Sequence, residues 1–106
     1  MNIVFKNKLL LDLYEGKRIS NKQFISNPII VKKFQSALQI IKNIEKLNEI
    51  YYFPGLKYEK LKGNLNMYSS IRLNKKFRLI FREVKSLLDQ EIVDSIEIIE
   101  ISNHYS

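Results

Sequence analysis

Two short runs near the middle of the chain, SSIRLN (Ser69–Asn74) and FRLIFR (Phe77–Arg82), alternate apolar with polar residues. A helix would scatter these apolar positions around its circumference, whereas an extended strand gathers them on one side. Ile71 and Leu73 take one face of the first run while Ser70 and Arg72 take the other. In the second run Phe77, Leu79 and Phe81 point one way, and Arg78, Ile80 and Arg82 the other. Asn74-Lys75-Lys76 between them reads as a tight turn, although the favoured Asn-Gly pair is absent. The pattern predicts a hairpin with an apolar back and a cationic front, and every other element must be fitted to that apolar back.

The front is where the charge of the chain lies. From Leu56 to Arg82 there are eight basic residues (Lys57, Lys60, Lys62, Arg72, Lys75, Lys76, Arg78 and Arg82) and one acid, Glu59. The remaining ten basic and ten acidic residues cancel, so the whole formal charge of +7 sits in this stretch. Localised positive charge suits an acidic partner, either nucleic acid or an acidic protein.

The first half of the chain reads as helical. Asn2–Phe5 is short and β-prone, an edge or central strand with Ile3 and Phe5 on one side. Asn7 is placed to cap a short helix carrying Leu9, Leu10 and Leu13, which ends at Gly16. Lys17–Gln23 reads as a connection that could hold a helical turn. Ser26-Asn27-Pro28 starts the clearest helix, since proline at the first helical position gives up an N–H that would be unpaired anyway. Ile30, Phe34, Ala37, Leu38, Ile41 and Ile44 recur at spacings of three and four, which predicts a helix reaching Leu47 or Asn48. Pro54-Gly55 separates this half from the sheet half.

Beyond that boundary Leu56–Leu61 reads as a weaker strand, and Gly63-Asn64 as the turn into the hairpin. Lys85–Ser95 reads as a loop, and Ile96–Ile101 as the strand that closes the sheet. Its isoleucines at 96, 98, 99 and 101 break alternation, which implies either two covered faces or a bulge between Ile98 and Ile99. With 106 residues and 45% hydrophobic content, positions 1–106 make one domain with a single modest core. Cysteine is absent, which removes disulfides, a thiolate nucleophile and thiolate metal sites. No run approaches the ~18 apolar residues of a membrane span, and the N-terminus lacks a secretory core, so a soluble cytoplasmic protein is expected.

Taken in order, Pro54-Gly55-Leu56, Leu61-Lys62-Gly63-Asn64, Ser70-Ile71-Arg72, Phe77-Arg78-Leu79-Ile80-Phe81 and an isoleucine-rich strand ending in His104 resemble the HigB branch of the RelE-type toxins of bacterial toxin–antitoxin systems. The resemblance covers the C-terminal half and implies an α+β fold of RelE type, with two or more N-terminal helices packed on a small, mostly antiparallel sheet. It also implies a ribonuclease that cuts messenger RNA on the ribosome, restrained by a cognate antitoxin of the HigA-like helix-turn-helix kind. Neither a small-molecule cofactor nor a metal is expected, and no partner in the membrane.

Cutting RNA without a metal requires a base for the 2′-hydroxyl, a counter-charge for the phosphorus centre and an acid for the leaving 5′ oxygen. Arg72 and Arg78 suit the counter-charge, because a guanidinium fork matches phosphate oxygens and stays ionised. Arg78 and Lys62 match family positions tied to catalysis, and Gly63 would let a ligand approach the lysine closely. His104, the only histidine, is the one side chain able to exchange a proton near neutrality without a large shift. The better-known family ending has an acid and a tyrosine before that histidine; here Ser102 and Asn103 stand there, and Tyr105 follows. Glu59 occupies a place where some members carry a histidine, and pairs with Lys57 or Lys60 on the simpler reading. Lys57, Lys60, Lys75, Lys76 and Arg82 are candidate backbone contacts, and Tyr68 and Tyr105 could stack on unpaired bases. Two other functions fit the same surface: a gyrase-inhibiting toxin of related fold, and an RNA-binding module without catalysis.

Overall fold

In the computed structural model, which describes residues 1–103, the two alternating runs pair as the expected hairpin. The elements are β1 (Asn2–Phe5), α1 (Lys8–Glu15), α2 (Lys22–Ile25), α3 (Pro28–Asn43), β2 (Glu59–Lys60), β3 (Tyr68–Arg72), β4 (Arg78–Lys85) and β5 (Val93–Ser102). Five strands form one sheet in the order β1-β5-β4-β3-β2. Strands β2 to β5 run antiparallel, whereas β1 lies parallel to β5 at the edge, with Ile3 opposite Ile96 and Phe5 opposite Ile98. The sheet is therefore mixed, antiparallel except for this edge strand.

The helices cover one face of the sheet. Ile30, Phe34, Ala37, Leu38 and Ile41 of α3 share a core with Ile71, Leu73, Leu79, Phe81, Ile96, Ile98 and Ile101 of the strands, joined by Leu10 and Leu13 of α1 and Phe24 of α2. The caps of α1 are those read from the sequence. Asn7 Oδ1 accepts from Leu10 N at 3.0 Å, and Gly16 ends the helix in the left-handed region at φ 75°.

The isoleucine run of β5 resolves as a bulge. Ile80 faces Glu100 and Phe81 faces Ile98, so Ile99 is the extra residue. The shift keeps Ile96, Ile98 and Ile101 all buried, which strict alternation would have forbidden.

Three boundaries differ from the sequence reading. Helix α3 stops at Asn43, short of Leu47, because Ile44 leaves the helix in an extended conformation (φ −82°, ψ 150°) and reaches the core from there. The freed helix end is satisfied locally: Asn43 Nδ2 donates to Gln39 O at 2.9 Å, and the Met1 amino group donates to Lys42 O and Ile44 O at 3.1 and 2.6 Å. The next residues, Leu47–Tyr52, form a 3-10 turn. The expected strand Leu56–Leu61 shrinks to Glu59–Lys60, because Pro54–Leu56 is a 3-10 turn and Lys57 that follows is left-handed at φ 50°. The expected loop Lys85–Ser95 is shorter than read, since β4 extends to Lys85 and β5 starts at Val93.

Phe34 and Phe81 are both 0% exposed and lie on opposite sides of the helix–sheet interface. Phe34→Ala and Phe81→Ala should each lower the free energy of urea unfolding by roughly 3–5 kcal/mol. Losses below about 1 kcal/mol for both would contradict this packing.

Candidate functional site

On the sheet face turned away from the helices, Arg72 of β3 stands directly opposite Arg78 of β4. Like charges placed so are unfavourable, and local bonds hold them there. The turn is closed by Asn74, whose Oδ1 accepts from Lys76 N at 2.9 Å and Phe77 N at 2.7 Å, while Leu73 N donates to Phe77 O at 2.9 Å. Arg72 Nε donates to Asn74 O at 3.2 Å. Arg78 is fixed twice, through Nε to Ser70 Oγ at 2.9 Å and through Nη2 to Lys57 O at 2.8 Å.

Lys57 is the one non-glycine residue with positive φ among the described residues. That conformation costs about 1–2 kcal/mol, and its visible return is a carbonyl delivered to the Arg78 guanidinium. The sequence made Lys57 a candidate for its charge; the structure also uses its backbone.

The other candidates are distributed unevenly. Lys62 is exposed where the chain enters the 3-10 turn Gly63–Leu65, and Gly63 takes φ 68° there. Leu61, just before this turn, and Leu65 within it line a cleft of about 250 Å³ together with Tyr68, Ile80 and Ile99, with Lys6 and Glu100 as its charged members. Ile80, which alternation placed on the cationic front, is 3% exposed and is the floor of this cleft. Tyr68 thus sits on the arginine face, opposite Arg82. Glu59 pairs across to Ser70 and belongs to the same face. Lys75 and Lys76 are exposed at the hairpin tip.

Two cations are less available than expected. Arg82 Nε contacts Glu97 Oε1 at 3.0 Å on the neighbouring strand. Lys60 lies opposite Ser69, on the helix side of the sheet, where its Nζ is 3.5 Å from Glu83 Oε1. Glu59 is therefore not the partner of Lys60. His104 and Tyr105 lie outside the described residues. Among the described residues, no three His, Cys, Asp or Glu side chains gather in a group that could hold a metal ion.

Sequence reasoning missed the group beneath Lys57. The Glu83 carboxylate, only 5% exposed, accepts hydrogen bonds from Tyr58 Oη and from Ser69 Oγ (2.6 Å) and faces Lys60. Tyr58 also lies over Phe81, with ring centroids 6.1 Å apart, and meets Tyr51 edge-on at 5.4 Å. Burial alone would raise the Glu83 pKa, but the bonds from Ser69 and Tyr58 and the charge of Lys60 outweigh it and hold the carboxyl below its ordinary range. Burial and the adjacent carboxylate push the Tyr58 hydroxyl up, so it remains a donor. This group ties the short, irregular segment around Lys57 to the sheet and so keeps the Lys57 carbonyl against Arg78. A signal was present in the sequence: Glu83 continues the apolar phase Phe77, Leu79, Phe81, where an acid must find buried partners.

A sheet backed by helices on one face is an architecture this chain shares with solved toxin structures. A YoeB/ParE toxin from Agrobacterium tumefaciens shares the fold with a TM-score of 0.58 at 21% identity, covering 99% of this chain and 100% of that one. The YoeB–YefM complex from Staphylococcus aureus gives a TM-score of 0.56 at 26% identity, covering 99% and 98%. The family of RelE-like toxins of the type II toxin–antitoxin system HigB matches residues 3–103, and the chain belongs to that family. Toxin HigB-1 of Vibrio cholerae serotype O1 is 34% identical to it over 84 residues, 79% of this chain and 85% of that protein.

The Glu83 group predicts a pH dependence with a definite sign. An unfolded glutamate titrates near about 4.3, and the folded value lies lower. The stability drawn from these bonds is therefore complete above about pH 4.3 and is lost as pH falls through the folded value. Glu83→Gln should cost about 1.5–3 kcal/mol in urea unfolding at neutral pH, the range for hydrogen bonds to a charged group, and the gap to wild type should close on acidification. A gap that stays constant from neutral to acidic pH would show that the Glu83 charge contributes nothing.

Proposed function

We propose that this toxin is a metal-independent endoribonuclease that cuts messenger RNA on the ribosome and so stops translation. The observation that carries this reading is the opposed pair Arg72 and Arg78, with Arg78 anchored through Ser70 and Lys57. Two guanidinium groups fixed on one face before any ligand arrives can stabilise charge developing on a phosphate without reorganising, which is the chief demand of the reaction. Arg78 and Arg72 hold the charge of the phosphorus centre, and Lys62, exposed just before the Gly63–Leu65 turn, adds to the field. His104 moves the proton, because its reference pKa of about 6.5 allows it to give and take one near neutrality.

RNA beyond the cut is held by the exposed Lys75 and Lys76 at the hairpin tip and by Lys57. Tyr68 and Tyr105 offer ring faces for bases. Arg82 serves mainly in its ion pair with Glu97, and Lys60 in its pair with Glu83. The reaction belongs to the cytoplasm, where ribosomes are. Among the described residues, no helix is long and apolar enough to cross a membrane. The restraining partner is an antitoxin, in keeping with the toxin–antitoxin complex among the structural relatives, and we assign it to the HigA-like helix-turn-helix kind.

Single-turnover cleavage of ribosome-bound messenger RNA tests these roles. Arg78→Ala should slow the reaction on the order of 100–1,000-fold while leaving the fold and the antitoxin complex intact. Arg78→Lys should recover little, because an ammonium keeps the charge but cannot make both anchoring bonds and still present a fork. His104→Gln should flatten the rate profile across about pH 5.5 to 8.5. If His104→Gln matches wild type at every pH, the proton transfer belongs to Lys62, Glu59 or the ribosome.

A further inference from the structure

We propose that a second RNA phosphate, adjoining the one at Arg72 and Arg78, is held by Lys32 and Lys33 in the cleft between α3 and the hairpin. The cleft has a volume of about 330 Å³ and is walled by Lys32, Lys33 and Ser36 of α3, by Leu56, and by Arg72 and Leu73. Three cations face this space and no acid lines it. The ion pairs among the described residues are Lys8–Asp12, Lys17–Glu15, Lys60–Glu83 and Arg82–Glu97, so none of the three cations is neutralised by one. An apolar floor of Ala37, Leu56 and Leu73 beneath unpaired positive charge concentrates the field within the concavity.

The chemistry that fits is a phosphodiester. Flexible ammonium groups make tolerant point contacts to phosphate oxygens and carry no information about base identity, and the Ser36 hydroxyl adds a donor. Arg72 belongs both to this cleft and to the opposed arginine pair, so the two anion positions are continuous. That continuity favours an RNA strand over an acidic segment of a protein. It gives the strand a path from the hairpin around the sheet edge onto α3. In the sequence Lys32 and Lys33 lie far from the hairpin and read as the solvated side of an amphipathic helix. The inference rests on the RNA reading of the arginine pair, but its test does not use cleavage.

The probe is a short fluorescein-labelled oligouridylate, its binding to the purified toxin followed by anisotropy over a series of salt concentrations. Each lost phosphate contact to a single strand lowers the slope of log K against log salt by about 0.7, so Lys32→Gln/Lys33→Gln, which gives up this one phosphate, should lower it by about 0.7. Lys32→Arg/Lys33→Arg should keep the wild-type slope. Lys46→Gln/Lys85→Gln removes the same charge at the other end of β4 and should change the slope little. Equal falls in the two glutamine variants would reduce the effect to net charge and overturn the proposal. So would an unchanged slope in the Lys32/Lys33 variant, including the case where that variant instead weakens capture of the antitoxin, which would assign the cleft to an acidic protein segment. Absence of binding by wild type at low salt would overturn it as well. A lysine-dependent slope in a protein that never cuts RNA would remove the nuclease reading and leave the cleft.

Discussion

Strand β4 is hydrogen-bonded on both sides, to β3 and to β5, and this fixes where each of its side chains must go. A strand in that position cannot twist one residue out of phase without breaking two ladders, so Leu79 and Phe81 face the helices while Arg78 and Arg82 face away. Burial of Phe81 under α3 therefore also orients Arg78. Core and site are set by the same constraint, and the hairpin register carries it to Arg72.

The alternation that made β4 legible explains what else could be read. The hairpin, its turn, the caps of α1 and the start of α3 all follow from local patterns with a direct physical cause, and of the two arrangements open to the isoleucine run the structure has the bulge at Ile99. The end of α3 did not, because Ile44 satisfies the helical spacing while reaching the core from an extended backbone. Periodicity records which residues are buried, and two backbone paths can bury the same residue. The segment after Pro54 failed for a related reason. Lys57 adopts a left-handed conformation that local preference argues against, held in place because the adjacent Tyr58 bonds to Glu83, which with Ser69 comes from elsewhere in the chain.

The candidate site was legible in its residue types and only partly in its geometry. Arg72 and Arg78 were brought together as the turn position implied. The sequence could not show that Arg82 and Lys60 would be engaged by Glu97 and Glu83, since those acids come from distant positions and meet their partners only through strand pairing. Nor could it show that the turn after Lys62 folds back over Ile80 and makes a cleft from a surface that alternation presented as flat. Charge can be counted along a chain, but whether a charge is free depends on its neighbours in space.

The opposition of Arg72 and Arg78 has a thermodynamic side. Bringing two cations together is work done during folding, supplied by the burial of the strands that carry them. An anion placed between them removes that repulsion, so occupancy of the site and persistence of the fold are linked, each favouring the other. A molecule that fills the site with a phosphate or carboxylate would thus protect the chain from unfolding and from the proteases that act on unfolded chains, and the occupied protein would be harder to destroy than the empty one.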